Sequence, residues 1–463
     1  MKIKRFFLCL VIFLLAPCFA IDQLKDTFPL SHFDVKNLLS TLRPHALSVE
    51  KLGEILNTVY FVSSPAEKFQ GFDYDKEHEL AFLRVTHWDL ENLDRDKLET
   101  IFDGESSSNM DLLKTSEILT LNDVDFYNEN SDYKNAVELI AQKLNANYAF
   151  AAEFLEASPE FLKKPTLPEG FRGLRGNAIV SKYPIKSAHI LRLPSCYDWF
   201  VEEAKYIQDD PDDRERIKVK NRKGEGEVPY IRRGGRNALI ADLVLPNRNI
   251  VTVVSSQLEN RAESKCRQNQ LYSILYHLRD SYNPIVFGVA LNNFGKNTGP
   301  QSISHRVKKT VSDKEFLAKQ VLKYINPLNF ITSLTSLTYG NYRKVGNPTV
   351  KHVPILFPNK AYGLFKTVAE FKFLDGTSFD LSGEKDFSNS NQRKNRTFSR
   401  TYEYKGWLGT GRKKVDWIFV KPVYDINKRK YYYPLEAKTL GLDFVLDDEN
   451  RSVHHPISLE LAI

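Results

Sequence analysis

The runs Ile250–Ser255, Pro284–Phe287 and Val415–Val420 are almost wholly apolar, with no polar alternation. A strand of that kind needs cover on both of its faces, so its sheet must be a buried layer. The same reading gives strands at Leu80–Val85, ending at Thr86-His87-Trp88-Asp89, and at Ile118–Leu121, Tyr148–Phe150, Asn177–Val180 and Ile457–Leu461. Helical spacing falls between them, at Ala136–Leu144 and at Leu271, Ile274, Leu275 and Leu278, which sit at i, i+3, i+4 and i+7. Strands separated by amphipathic helices imply a layered α/β core with buried sheets. With 463 residues, 42% of them hydrophobic, the chain can bury such a core, and 27% charge without low-complexity tracts argues against a disordered scaffold.

The first 20 residues differ from the rest. Lys2, Lys4 and Arg5 precede an apolar run from Phe6 to Leu15, and Cys18-Phe19-Ala20 offers a cleavage site. Those are the parts of a secretory signal peptide, too short in its apolar run to span a bilayer. A secreted or periplasmic protein is expected, with no further segment apolar enough to cross a membrane. Loss of the three leader cations takes the formal charge from +7 to about +4, which permits a polyanionic ligand without arguing for one. Cys196 and Cys266 remain after removal of Cys9 and Cys18. An oxidising compartment allows them to pair, and two cysteines can equally stay buried and free.

Residues 21–463 read as one domain, with a structured insertion at about 295–411 that is too aromatic for a linker. His87, His189, His305 and His352 have no partner at metal-ligand spacing and read as surface or core histidines. Lys and Arg recur from Arg214 to Arg236, including Arg232, Arg233 and Arg236, but alternate with Asp, Glu and Gly as a solvated loop would. If that run forms a phosphate-binding patch, its binding falls steeply with salt.

Chemistry-bearing residues cluster at predicted strand ends, where open α/β sheets hold ligands. Val85-Thr86-His87-Trp88-Asp89-Leu90 ends in a carboxylate suited to a hard cation. Leu121-Asn122-Asp123-Val124-Asp125 supplies another. Arg175-Gly176-Asn177-Ala178-Ile179-Val180-Ser181-Lys182-Tyr183-Pro184-Ile185 is scaffold. Val254-Ser255-Ser256-Gln257-Leu258-Glu259-Asn260-Arg261, Phe287-Gly288-Val289-Ala290-Leu291-Asn292-Asn293, the strand beginning at Asp416, and Arg451-Ser452-Val453-His454-His455-Pro456-Ile457 complete the set.

In this order, over residues 80–463, these segments resemble the endonuclease/exonuclease/phosphatase superfamily, in a secreted bacterial branch. The resemblance implies a four-layer α/β/β/α sandwich and divalent-metal hydrolysis of phosphomonoesters or phosphodiesters. It assigns Asp89 and Asp123 to metal, where the family has Asn and Glu. Asn292 then orients phosphate, His454 is the base or phosphate-polarising group, and Asp416 pairs near it. Gln257 stands where the family has a phosphate-contacting His, Ala290 where it has a proton-transferring Asp, and Val453 where it has a metal-binding or orienting Asp. An amide carries no charge, and a methyl group moves no proton. Because such residues act as a unit, three losses leave little chemistry. The expectation is an inactive or strongly impaired pseudoenzyme, with Mg2+ or Mn2+ as cofactor if metal binding remains, and a phosphate-bearing ligand or nucleic acid as partner. The alternatives are a secreted nuclease or phosphatase of low or altered activity, and a nucleic-acid binding module.

Overall fold

The computed structural model describes residues 49–63, 82–91, 93, 95–104, 107–128, 131, 134–157, 171–204, 207–209, 217–221, 224–225, 231–292, 362–381, 401–406, 409–441 and 453–463. The leader expected at 1–20 lies outside these, as does most of the insertion expected at about 295–411.

Two mixed sheets face each other. The larger runs in the order Val59–Val62, Asn147–Ala157, Phe171–Ser181, Ile118–Asn128, Phe82–Asp89, Ile457–Ala462, Tyr433–Thr439. Within it only Phe82–Asp89 and Ile118–Asn128 pair in parallel. The smaller sheet has five strands, Asp416–Lys421, Ile285–Ala290, Ile250–Gln257, Asn237–Val244 and Ile185–Arg192, with 250–257 and 285–290 parallel.

Three apolar clusters define the layers. Leu83, Val85, Ile118 and Ile179 of the first sheet pack with Leu239, Val251, Val286 and Ile418 of the second. The outer face of the first sheet, through Leu119, Leu121 and Phe150, is covered by Leu98, Met110, Val137 and Ile140 of helices Arg95–Asp103, Ser108–Lys114 and Ala136–Leu144. The outer face of the second, through Val254, Phe287 and Trp417, is covered by Leu271, Ile274, Leu364 and Val368 of helices Ser264–Leu278 and Tyr362–Glu370. This is the α/β/β/α sandwich expected from the resemblance. Both sheets are buried on both faces, which is why their strands read as unbroken apolar runs.

Two details position the site. The strand Ile118–Asn128 outruns the expected Ile118–Leu121 and bulges between Leu121 and Val124, where Asp123 has φ 54°. A bulge bends a strand and re-aims its side chains, and Asp tolerates the left-handed region better than most residues. Cys196 and Cys266 form a disulfide, which resolves the pairing that sequence left open and ties the segment after Ile185–Arg192 to the first turn of Ser264–Leu278. No helix among the described residues is long and apolar enough to cross a membrane.

Candidate active site

Parallel register brings the C-terminal ends of three strands to one end of the sandwich, beside the bulge in Ile118–Asn128. Asp89 pairs with Asn122, and Gln257 with Ala290, which pairs in turn with Asp416 at the start of its antiparallel strand. Val453 and His454 enter just before the 457–462 strand, and the Trp88 indole N–H donates to the His454 carbonyl at 3.1 Å.

His454 is the centre of the cluster. Its Nδ1 lies 3.0 Å from Asp416 Oδ2 and 3.9 Å from Asp89 Oδ2, and its Nε2 lies 3.4 Å from Glu91 Oε2. Burial opposes charging this ring, but Asp89 and Asp416 outweigh it and hold the imidazole well above its ordinary pKa. Asp416 is held below the carboxylate range: burial pushes it up, and the His454 charge and hydrogen bond pull it further down. Asp89 is pushed up to about 8 by burial and by Asp123, Asp416 and Glu91, against the pull of His454.

Gln257 is held at both ends. Its Nε2 donates to Asp89 Oδ2 at 2.9 Å, and its Oε1 accepts from the Arg236 guanidinium. Arg236 donates to Glu153 Oε2 at 2.6 Å, and Glu153 Oε1 accepts from Asn177 Nδ2 at 3.0 Å. Asn177 accepts from Asn122 Nδ2 at 2.7 Å, which also reaches Ser255 Oγ at 3.1 Å across the sheet interface. A buried polar chain thus runs from Asp89 through Gln257, Arg236 and Glu153 into the middle of the sandwich.

Of the residues singled out in sequence, Asp89, Asp416 and His454 come together, with Gln257 on Asp89. Their ligand atoms lie within 4.8 Å of one another, and no other such group of three occurs among the described residues. Asp123 sits beside them, its charge acting on Asp89, but its nearest cation is Arg175, 3.9 Å away. Asn292 (φ 47°) donates Nδ2 to the Leu258 carbonyl at 2.7 Å and has no bond to His454. Ala290 is fully buried, so its methyl group fills this strand position. Val453 pairs through its backbone with Glu403. Arg232 and Arg236, read from sequence as part of a basic loop, are instead bound to Glu203 and Glu153; Arg236 is only 4% exposed. Arg233 stacks on Phe200, its guanidinium carbon 4.1 Å from the ring centre.

Sequence reasoning missed Glu91, whose one signal was its place two residues after Asp89. It also missed Arg236 as a site residue, because the partner that buries it lies 83 positions away.

The donor set suits a small divalent cation only weakly. Asp416 Oδ1 is buried without a well-formed hydrogen bond, and the neighbouring Thr401 hydroxyl helps hold this carboxylate ionised. Asp89 and Asp416 would hold the ion through carboxylate oxygens, which suit Mg2+ or Mn2+, and His454 would join them only on losing the proton that these carboxylates stabilise. Such an ion supplies charge neutralisation for a bound phosphate.

The pKa directions carry a stability prediction. Asp89 is raised in the folded state, so its contribution is complete below the unfolded value of 3.8 and is lost as pH rises through about 8. Asp125, raised to about 7 chiefly by burial, acts in the same sense. Stability to urea is expected to fall from pH 6 to pH 8.5, by up to about 1.4 kcal/mol per pH unit for each group. Asp89→Asn should flatten the slope; an unchanged slope would show that Asp89 is ionised throughout.

The chain is similar to solved structures of the endonuclease/exonuclease/phosphatase superfamily, which its motifs resemble. One is an endonuclease/exonuclease/phosphatase from Beutenbergia cavernae, at 13% identity over 83% of this chain and 72% of that one, with TM-score 0.36. TDP2 of D. rerio, complexed with a single strand DNA product, aligns at 12% identity over 83% of this chain and all (100%) of its own, with TM-score 0.39. The human Nocturnin catalytic domain aligns at 11% identity over 87% and 97%, with TM-score 0.37. No protein-family model matches the chain, and no curated protein does.

Proposed function

We propose that this chain is an exported pseudoenzyme on a phosphoesterase-type sandwich, which binds a phosphate-bearing ligand through a divalent cation and does not turn it over. The observation that carries this reading is the double commitment of Gln257 between Asp89 and Arg236. An amide so held offers a phosphate no charge and only its second Nε2 hydrogen, and neighbouring Ala290 offers no proton. The Nε2 face of His454 meets Glu91.

Electrostatics support the need for a cation. Glu91, Asp123, Glu153, Asp416 and Glu259 surround the site, and its cations, Arg175, Arg236 and His454, are ion-paired to carboxylates. An anion entering without a metal meets net negative charge. Nucleic acid is one ligand that brings both phosphate and associated cations. The disulfide is in keeping with export to an oxidising compartment.

The His454–Asp416 contact of 3.0 Å favours one second reading, a hydrolase of low activity. A single experiment separates the two. With Mg2+ or Mn2+, the protein is expected to hydrolyse nucleic acid, phosphodiester and phosphomonoester substrates no faster than His454→Ala. Metal-dependent turnover that disappears in His454→Ala would establish the hydrolase instead.

A further inference from the structure

The strand Ile185–Arg192 and the helix Ser264–Leu278 are linked at one end by the Cys196–Cys266 disulfide, which closes the segment just beyond the strand onto the helix's first turn. At the other end, in the helix's last turn, His277 faces His189 of the strand. Their Nε2 atoms lie 3.1 Å apart, with ring centres 5.3 Å apart and planes at 55°. Both rings are half-buried. They are 88 residues apart in sequence, so no spacing motif marks them.

Two neutral imidazoles meeting nitrogen to nitrogen present two lone-pair sites to one point, which either a shared proton or a metal ion can occupy. With metal–nitrogen bonds of about 2.0–2.1 Å, two ligand nitrogens lie about 3.3 Å apart at a tetrahedral angle and about 2.9 Å apart at a right angle. The observed separation falls between these. Burial lowers the pKa of both rings, and each is therefore a neutral ligand near pH 7.

A carboxylate stands on the same face. His189 pairs with Ile240, so Asp242, two residues further along that strand, projects to the same side of the sheet. It accepts from Thr252 Oγ1 at 2.7 Å and Ser187 Oγ at 3.2 Å, and its charge acts on His189. Imidazole donors suit Zn2+, Cu2+ or Ni2+ far better than Mg2+ or Ca2+.

We infer that His189 and His277 bind a transition-metal ion of the Zn2+ type, completed by water beside Asp242, as a second cross-link between this strand and helix. The site is separate from the Asp89–Asp416–His454 cluster, which lies at the strand ends beyond Gln257 and Ala290.

Zn2+ titration by calorimetry tests the inference in full-length, disulfide-intact protein. The background is Asp89→Asn/His454→Ala, which removes two of the three strand-end donors. One saturable site is expected there, with a rise in urea midpoint on adding Zn2+. Adding His277→Gln, which keeps a hydrogen-bonding side chain at that position, should weaken binding at least tenfold and abolish the midpoint shift. His189→Gln should do the same. Absence of saturable binding in the background variant, or binding that survives both glutamine substitutions, would overturn the inference.

Discussion

Gly288→Val is expected to yield little folded protein, and Gly288→Ala to lower stability by about 3 kcal/mol. Gly288 lies in the middle of the Ile285–Ala290 strand, where the two sheets approach. A Cβ there would stand 1.9 Å from Thr120 Oγ1 and 2.8 Å from His87 Nδ1. Those two atoms are hydrogen-bonded to each other at 3.0 Å, and both residues are fully buried. The added methyl must separate the sheets or break that bond. Overpacking costs about 1–3 kcal/mol and a stranded buried polar group about 1–3 kcal/mol more. His87 cannot recover the loss by charging, because burial lowers its pKa to about 4. Chemical denaturation of Gly288→Ala with and without Thr120→Ala makes the test. Removing Oγ1 should restore more than half of the deficit, whereas a Gly288→Ala midpoint matching wild type would mean that the sheets do not meet there.

The layered fold was legible because its strands advertise burial on both faces. Ile250–Ser255 and Val415–Val420 have no polar side to present to water, and the observed strands begin and end within about two residues of the reading. Legibility failed where polar residues are buried by partners remote in sequence. The expected strand stops at Leu121, short of the observed Ile118–Asn128, because Asn122, Asp123 and Asp125 interrupt the apolar run. In fact Asn122 is bonded across the interface, and Arg175 meets Asp125 at 3.1 Å. Arg236 read as solvated for the same reason, and His189 as isolated. At the candidate site, Asp89, Asp416 and His454 were found through motif resemblance, and Glu91 belongs to no motif. Periodicity reports which face is covered; it carries no information about which charge neutralises which.

That blind spot is where the second large effect lies. Glu153 has no exposed surface, and its carboxylate accepts from Arg236 at 2.6 Å, from Asn177 at 3.0 Å and from the Asn237 N–H at 3.3 Å. Arg236 remains charged: burial works against its proton, but Glu153, Glu259 and Asp123 together hold its pKa above the ordinary value. Glu153→Ala therefore leaves a guanidinium in a dry interior with Glu259, 3.7 Å from Nε, Gln257 and the charge of Asp123 as its remaining partners. Breaking one side of such a pair costs about 3–5 kcal/mol, and replacing both sides with apolar residues of similar volume is often close to neutral. Glu153→Leu/Arg236→Met is accordingly expected to be more stable than Glu153→Ala. A double-mutant cycle read by urea unfolding should give a coupling well above about 0.5 kcal/mol, the value below which sites behave independently. The double variant also frees the Oε1 end of Gln257 and leaves its bond to Asp89 in place. If cation-dependent phosphate binding survives in that variant, Arg236 serves only to stabilise the fold. If binding is lost while the fold persists, the chain from Glu153 to Asp89 holds the cation site in its working geometry.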